Sequence, residues 1–316
     1  MGMWQKYLQN PGKGTIIARN HKQEQEEPPE MTAKTIESQS FDQERALYGS
    51  HDLTVRRCAF SGPADGESAL KECSRITAEE CFFDLRYPMW HVHGLTVRRS
   101  ELTEGCRAAL WYSDHITMED TRLHGIKALR ECGHARLTRC DILSPEFGWS
   151  SRDVKLTDCD AESEYFFLRG EDLDFDNVRF KGKYSFQYIK NSIFDRCDFD
   201  TKDAFWHSEN VTVRDSVLKG EYLAWYSQNL TLIRCKIIGT QPLCYCRGLK
   251  LIDCEMVDAD LCFEKSEVEA TVTTPILSVK NPRAGAISAP AVGELIMDDP
   301  EAQGKLLLPG GRRKRA

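Results

Sequence analysis

An eight-residue phrase, Leu53-Thr54-Val55-Arg56-Arg57-Cys58-Ala59-Phe60, recurs as Ile76-Thr77-Ala78-Glu79-Glu80-Cys81-Phe82-Phe83. It returns from Leu95, Ile116, Ala135, Val154, Leu173, Ser192, Val211, Leu230 and Leu249, with steps of 23, 19 and 21 residues and then seven of 19. A fixed period of this size marks a solenoid, in which each unit stacks on its neighbours and buries a continuous core. Any function must therefore reside in columns of side chains that run along the stack.

Within a unit, apolar residues occupy the first, third, sixth and eighth positions, as in Leu230, Leu232, Cys235 and Ile237. This pattern predicts two short strands joined by a bend. Gly125, Gly182, Gly220 and Gly239 share a later position and punctuate a turn. A third alternating segment follows, such as Tyr184-Ser185-Phe186-Gln187-Tyr188, and ends near Asn191, Asn210 or Asn229. Three strands and three turns in 19 residues describe one coil of a parallel β-helix. A leucine-rich repeat would match the first half equally well. Its usual period is longer, however, and the second half carries aromatic residues at strand spacing rather than a helical stripe.

Seven of the thirteen cysteines share one column (Cys58, Cys81, Cys140, Cys159, Cys197, Cys235 and Cys254), where other coils place Ser100, Thr121, Val178 or Ser216. That interchange is what a small buried slot tolerates, and reduced thiols are expected. The expected organisation is a flexible polar leader over 1–40, a β-helix with C-terminal closing strands over 41–308, and a basic disordered tail over 309–316. The closing strands are expected near Val268–Val272, Ile276–Val279 and Glu294–Met297.

Several classes are excluded by composition. The net charge of −7 argues against nucleic-acid binding, and no apolar run approaches the roughly 18 residues of a membrane span. No signal-type segment opens the sequence, so a cytoplasmic protein is expected.

The phrases Ala109-Leu110-Trp111-Tyr112-Ser113, Gly182-Lys183-Tyr184-Ser185-Phe186-Gln187-Tyr188, Thr201-Lys202-Asp203-Ala204-Phe205-Trp206-His207-Ser208 and Gln241-Pro242-Leu243-Cys244-Tyr245-Cys246 carry a resemblance. Together with Ser144-Pro145-Glu146-Phe147-Gly148-Trp149, they resemble an uncharacterised bacterial family, a domain of unknown function assigned to the right-handed, pectin-lyase-like β-helices. The resemblance spans roughly residues 40–300. It implies an all-β, right-handed, single-stranded parallel β-helix, and it implies no reaction and no catalytic residue. The sequence has no Cys-x-x-Cys pair for an iron–sulfur or nickel–iron centre, and no cofactor is expected.

If the third segment alternates as a strand, it has two faces. One holds Tyr184-Phe186-Tyr188, Asp203-Phe205-His207 and Tyr222-Ala224-Tyr226, with Lys127 and Glu146 further along; the other holds Trp111, Arg130, Trp149, Trp206 and Trp225. The Trp face is expected to be buried, leaving the Tyr-rich stripe in solvent. Arg130 strains that assignment, since in an outward column it would sit between two indoles as a cation–π sandwich.

The candidate ligand-binding residues are Lys127, Arg130, Glu146, Tyr184, Tyr188, Asp203, His207, Tyr222 and Tyr226. An aromatic stripe edged with carboxylates and bases suits a sugar chain, so an oligosaccharide-binding or oligosaccharide-modifying protein is the preferred reading. The alternative is a scaffold that binds a protein partner or another copy of itself. On an extended strand Asp203 and His207 would lie about 13 Å apart, and three coils put Glu146 about 14 Å from Asp203. No glycosidase-like carboxylate pair emerges. His91 with His93, and the column of His115, His134, Asp153 and Asp172, lack a recognised ligand spacing, and no metal is expected.

Overall fold

The computed structural model describes residues 34–62 and 67–309. The remainder of the expected leader and almost all of the basic tail lie outside the described residues. The described chain is a parallel β-solenoid of about 14 turns, spaced about 19 residues apart. No helix occurs among the described residues, which removes the leucine-rich alternative.

Side one is built from strands such as His51–Arg56, Asp114–Glu119, Arg152–Thr157 and Glu209–Arg214. Side two is built from Ala59–Ser61, Arg122–His124, Arg179–Lys183 and their counterparts. Pairing is parallel and in register: Val154 faces Leu173, Leu156 faces Phe175, and Phe180 faces Phe199. The 19-residue repeat thus places like residues on like, and the apolar first, third and eighth positions pile into a continuous core. Each fully buried aliphatic or aromatic side chain there contributes about 1.5–3 kcal/mol.

The coil begins earlier than the sequence suggests. Lys34–Glu37 pairs with Leu53–Arg56, and Ser40–Phe41 pairs with Ala59–Phe60. Phe41, Phe60 and Phe83 stack at 4.8 Å, so Phe41 already serves the eighth-position column. The far end is occupied by strands Glu267–Val272, Ile276–Lys280, Ala284–Ser288, Val292–Ile296 and Lys305–Leu307.

The bend between sides one and two explains the cysteine column. The preceding residue has a positive φ (Arg57 50°, Glu80 53°, Asp120 49°, Asp158 54°, Arg234 48°). The next side chain turns inward and donates to the carbonyl two residues back: Cys58 to Arg56 at 3.3 Å, Ser100 to Arg98 at 2.8 Å, Thr121 to Glu119 at 2.8 Å. A small donor fills the slot and adds a second hydrogen bond to a carbonyl that already accepts a backbone amide from the preceding coil, as Arg56 O does from Ser38 N–H at 2.9 Å. All thirteen cysteines are free and buried, and burial pushes the Cys106 and Cys132 thiols up to about 12. Outside the bend, Arg57, Glu80, Arg99, Asp120, Arg139 and Asp158, and later Asp215 and Arg234, form a column of alternating sign. Arg139 grips Asp120 through both nitrogens (2.6 and 2.9 Å), and Arg234 grips Asp215 likewise (both 2.6 Å).

Side three departs from expectation. Regular strand forms there at Leu110–Trp111 and Leu129–Arg130, and again in the final coils at Ile276–Lys280 and Val292–Ile296. In three consecutive coils the first, third and fifth residues take positive φ: Tyr184 55°, Phe186 58°, Tyr188 59°; Asp203 57°, Phe205 60°, His207 54°; Tyr222 58°, Ala224 60°, Tyr226 62°. Their amides reach alternately to the following and preceding coil: Tyr184 N–H to Lys202 O, Phe186 N–H to Phe166 O, Tyr188 N–H to Trp206 O. Left-handed conformation is normally unfavourable for side chains with a Cβ. Here these inter-coil hydrogen bonds hold it.

Candidate functional site

The changed backbone changes which side chains face out. Along side three the second and third residues are buried, the fourth is half-buried and the fifth is exposed, as in Ala204, Phe205, Trp206 and His207. The simple two-face alternation therefore fails. Phe186 and Phe205, expected in solvent with the Tyr stripe, lie in the core. The Trp column, expected inside, is half-buried at the surface.

The indoles have a repeated task. Trp206 Nε1–H donates to Tyr222 O at 2.6 Å, Trp225 to Gln241 O at 2.8 Å, Trp111 to Lys127 O at 2.6 Å and Trp149 to Tyr165 O at 3.3 Å. Each ring lies back over the first residue of the next coil's segment and satisfies its outward carbonyl. Gln187 replaces a Trp in this column and keeps the bond, donating through Nε2 to Asp203 O at 3.2 Å.

The candidates divide into two groups. Lys127 pairs with Glu146 at 3.3 Å, and the Arg130 guanidinium lies 4.9 Å from the Trp111 ring and 5.4 Å from the Trp149 ring. The sandwich is real, and it shows the Trp column facing outward. These three residues largely satisfy one another or their structural neighbours. The second group, Tyr184, Tyr188, Asp203, His207, Tyr222 and Tyr226, falls on three consecutive coils and forms one panel.

The exposed edge of that panel is a ladder of rings. Tyr188 stacks on His207 (4.8 Å, 5°), His207 on Tyr226 (5.0 Å, 8°) and Tyr226 on Tyr245 (4.8 Å, 12°). Beside it Trp206 stacks on Trp225 (5.4 Å, 4°). In such a stack the ring faces cover each other and only the edges meet solvent. Among the described residues no partner is found for the hydroxyls of Tyr188 and Tyr226, which are 47% and 43% exposed. The Tyr245 hydroxyl reaches Glu264 Oε2 at 3.3 Å, and burial followed by the nearby Glu264 charge pushes it up to about 12.

Tyr245 was missed in the sequence, although its place 19 residues after Tyr226 was the available signal. Gln187, Trp206 and Trp225 were missed as panel members because their column was assigned to the interior. Since the segment is not an extended strand, the 13 Å separation assigned to Asp203 and His207 does not apply.

Asp203 takes the first position of its segment, where neighbouring coils place Tyr165, Tyr184 and Tyr222. Tyr165 and Tyr184 stack at 5.0 Å, and Asp203 breaks this second ladder. It is 5% exposed, and its Oδ1 is buried with no hydrogen-bond partner. Burial raises its carboxyl above the usual range; Lys202 opposes the shift and Glu221 adds to it. Lys202 pairs with Glu221 at 3.0 Å, and its ammonium lies 5.1 Å from the Tyr222 ring centre.

The histidines turn to separate carboxylates. His91 meets Glu72 at 2.6 Å and His93 meets Asp114 at 2.9 Å, while His115 stacks on His134 at 4.6 Å. Among the described residues no group of three or more His, Cys, Asp or Glu is arranged to hold a metal ion. Nor is any helix long and apolar enough to cross a membrane.

No curated protein matches the chain in sequence. Several solved structures are similar in backbone, three of them as follows. The surface adhesin PfbA of Streptococcus pneumoniae matches at 10% identity over 84% of this chain and 75% of its own, with a TM-score of 0.37. The tailspike protein of E. coli bacteriophage HK620, solved with a hexasaccharide, matches at 8% identity over 80% and 60%, also at 0.37. The catalytic domain of a GH87 alpha-1,3-glucanase, solved with tetrasaccharides, matches at 9% identity over 88% and 64%, at 0.30. The model of one sequence family spans residues 34–307, nearly the whole described solenoid, and the chain belongs to that family, described as a protein of unknown function (DUF3737).

Proposed function

We propose that this protein binds an elongated, hydroxyl-rich ligand of the oligosaccharide class along side three, parallel to the stack, and that it does so in the cytoplasm. The observation that carries this reading is the ladder Tyr188–His207–Tyr226, exposed and backed by the half-buried Tyr245. Its rings are stacked on one another, so they offer little face for a sugar to lie on. They offer a row of hydroxyl and imidazole edges at 4.8–5.0 Å intervals, which suits a chain carrying donors and acceptors along its length. Thirteen buried, unpaired thiols support a reducing compartment. Binding without chemistry is the simpler form of the reading, because the carboxylates of the panel are not arranged as an evident acid–base pair.

Calorimetric titration with a panel of glucose, xylose, mannose and N-acetylglucosamine hexasaccharides tests this. Tyr188→Phe and Tyr226→Phe keep the stack and remove the hydroxyls. Each should weaken binding roughly two- to tenfold, the worth of one hydrogen bond. Full affinity in both Phe variants would exclude recognition by ring edges. The second reading, a protein partner or another copy of the chain, draws on the exposed Tyr188 and Tyr226. It predicts a dimer by sedimentation that Tyr226→Ala dissociates.

A further inference from the structure

Two aromatic columns of side three are interrupted at the same spot. The Trp column, which also lacks an indole at Arg130, Leu168 and Cys244, has an amide at Gln187, and the run of Tyr165, Tyr184 and Tyr222 is broken by Asp203. These are not independent places, because each residue of the Trp column lies over the first residue of the next coil, and Gln187 lies over Asp203. Between the ring of Tyr184 and those of Tyr222 and Trp206, an amide therefore covers a carboxylate.

A Tyr at position 203 would extend the stack that Tyr165 and Tyr184 begin. A Trp at position 187 would bury more apolar surface and keep the carbonyl bond, as Trp206 does. The chain instead places there a carboxylate whose Oδ1 is buried and unpartnered, an arrangement that costs stability. Departures from local optimisation of this kind concentrate at functional positions. The cover also differs from its neighbours. An indole is rigid and half-buried, whereas a Gln side chain has three rotatable bonds and is held here by one neutral hydrogen bond of 3.2 Å. Gln187 therefore moves aside at lower cost than the indole covers of Trp206 and Trp225.

We propose that Gln187 and Asp203 form the sugar-reading subsite of side three: the Gln187 amide swings off the Asp203 carbonyl, and a ring hydroxyl of a sugar residue donates to the Asp203 carboxylate. The Lys202–Glu221 ion pair stands at the rim. The Lys202–Glu221 pair is neutral as a whole, and the Asp203 carboxylate disfavours a uronic acid, so the class is a hexose or pentose unit without a carboxylate. This inference rests on the oligosaccharide reading above and supplies the position at which one sugar is told from another.

The test uses the full chain, the same hexasaccharide panel and two substitutions. Asp203→Asn keeps shape and removes the charged acceptor. Gln187→Trp restores the indole cover. Both should melt at or above the wild-type temperature, which shows that they fold. Each should weaken the best wild-type ligand roughly tenfold or more, the difference between a charged and a lost or neutral acceptor. Galacturonate hexasaccharides should bind the wild type more weakly than their neutral counterparts. Unchanged affinity in both variants, with Tyr226→Phe still weakened, would overturn the subsite and leave the ladder reading standing. A wild type that binds no member of the panel would overturn both.

Discussion

At the scale of single residues, Asp203 is the side chain whose cost can be measured without knowing a ligand. Its carboxyl is raised in the folded state, first by burial and then by Glu221, against the pull of Lys202. The folded protein therefore favours the neutral acid more than the unfolded chain does. The sign follows: the favourable contribution is complete below the unfolded carboxyl's own range, and it is lost as pH rises through the higher folded value. Asp203→Asn should accordingly differ little from wild type at acid pH and be more stable near neutrality, by roughly 1–3 kcal/mol, the cost of an unsatisfied buried polar group. Urea unfolding of both proteins near pH 4 and pH 7 measures this, and a variant less stable at pH 7 would show that the carboxylate is satisfied. Nothing in the sequence announces the burial of Asp203. It announces only that a Tyr column contains an Asp, because burial here depends on how Gln187 and the neighbouring rings fold over it.

Among the elements, sides one and two were legible and side three was not, for a physical reason. A strand alternates in and out, and the first, third and eighth positions of the repeat show that alternation directly. Side three also recurs every 19 residues, but with positive φ at alternate residues it buries two adjacent side chains in each coil. Period alone cannot separate these conformations. The usable signal was the apolar doublet, as in Phe166-Phe167, Ala204-Phe205 and Leu223-Ala224, which a half-buried strand would not carry. Position-specific backbone demands are sharpest in the glycine column between sides two and three. Gly220 (φ 146°) and Gly239 (φ 131°) each sit where a Cβ would collide with a carbonyl of the preceding coil, at Thr201 and Gly220 respectively. Gly220→Ala and Gly239→Ala should each cost roughly 1–3 kcal/mol. Gly49 also has a positive φ (66°) but faces open space, so Gly49→Ala should cost only about 1 kcal/mol. Equal melting temperatures for Gly49→Ala and Gly239→Ala would show that the close approach between coils carries no weight.

For the molecule as a whole, a solenoid's stability is close to a sum of coil terms and neighbour terms, so coils that share more contacts should open later. The contacts here are unevenly distributed. Phe166, Phe175, Phe180, Phe186, Phe194, Phe199 and Phe205 form one connected cluster of buried rings, with Phe166 and Phe180 at 4.4 Å and Phe186 and Phe205 at 4.9 Å. Phe186 and Phe205 belong to the same two segments as Gln187 and Asp203. The costly pair therefore rests on the most aromatic part of the core, which offsets its instability and holds the panel in place. At the far end, Leu277, Leu295, Leu307 and Leu308 are exposed, and Lys305–Leu307 pairs only with Ala284–Ser288 among the described strands. Hydrogen exchange followed by mass spectrometry should find the slowest amides between about 166 and 205, with protection falling toward 276–307. If the terminal coils exchange as slowly as the Phe-bearing ones, the chain opens as a single cooperative unit. The ring cluster would then be no special support for the panel above it, and the instability of Asp203 would be carried by the whole stack.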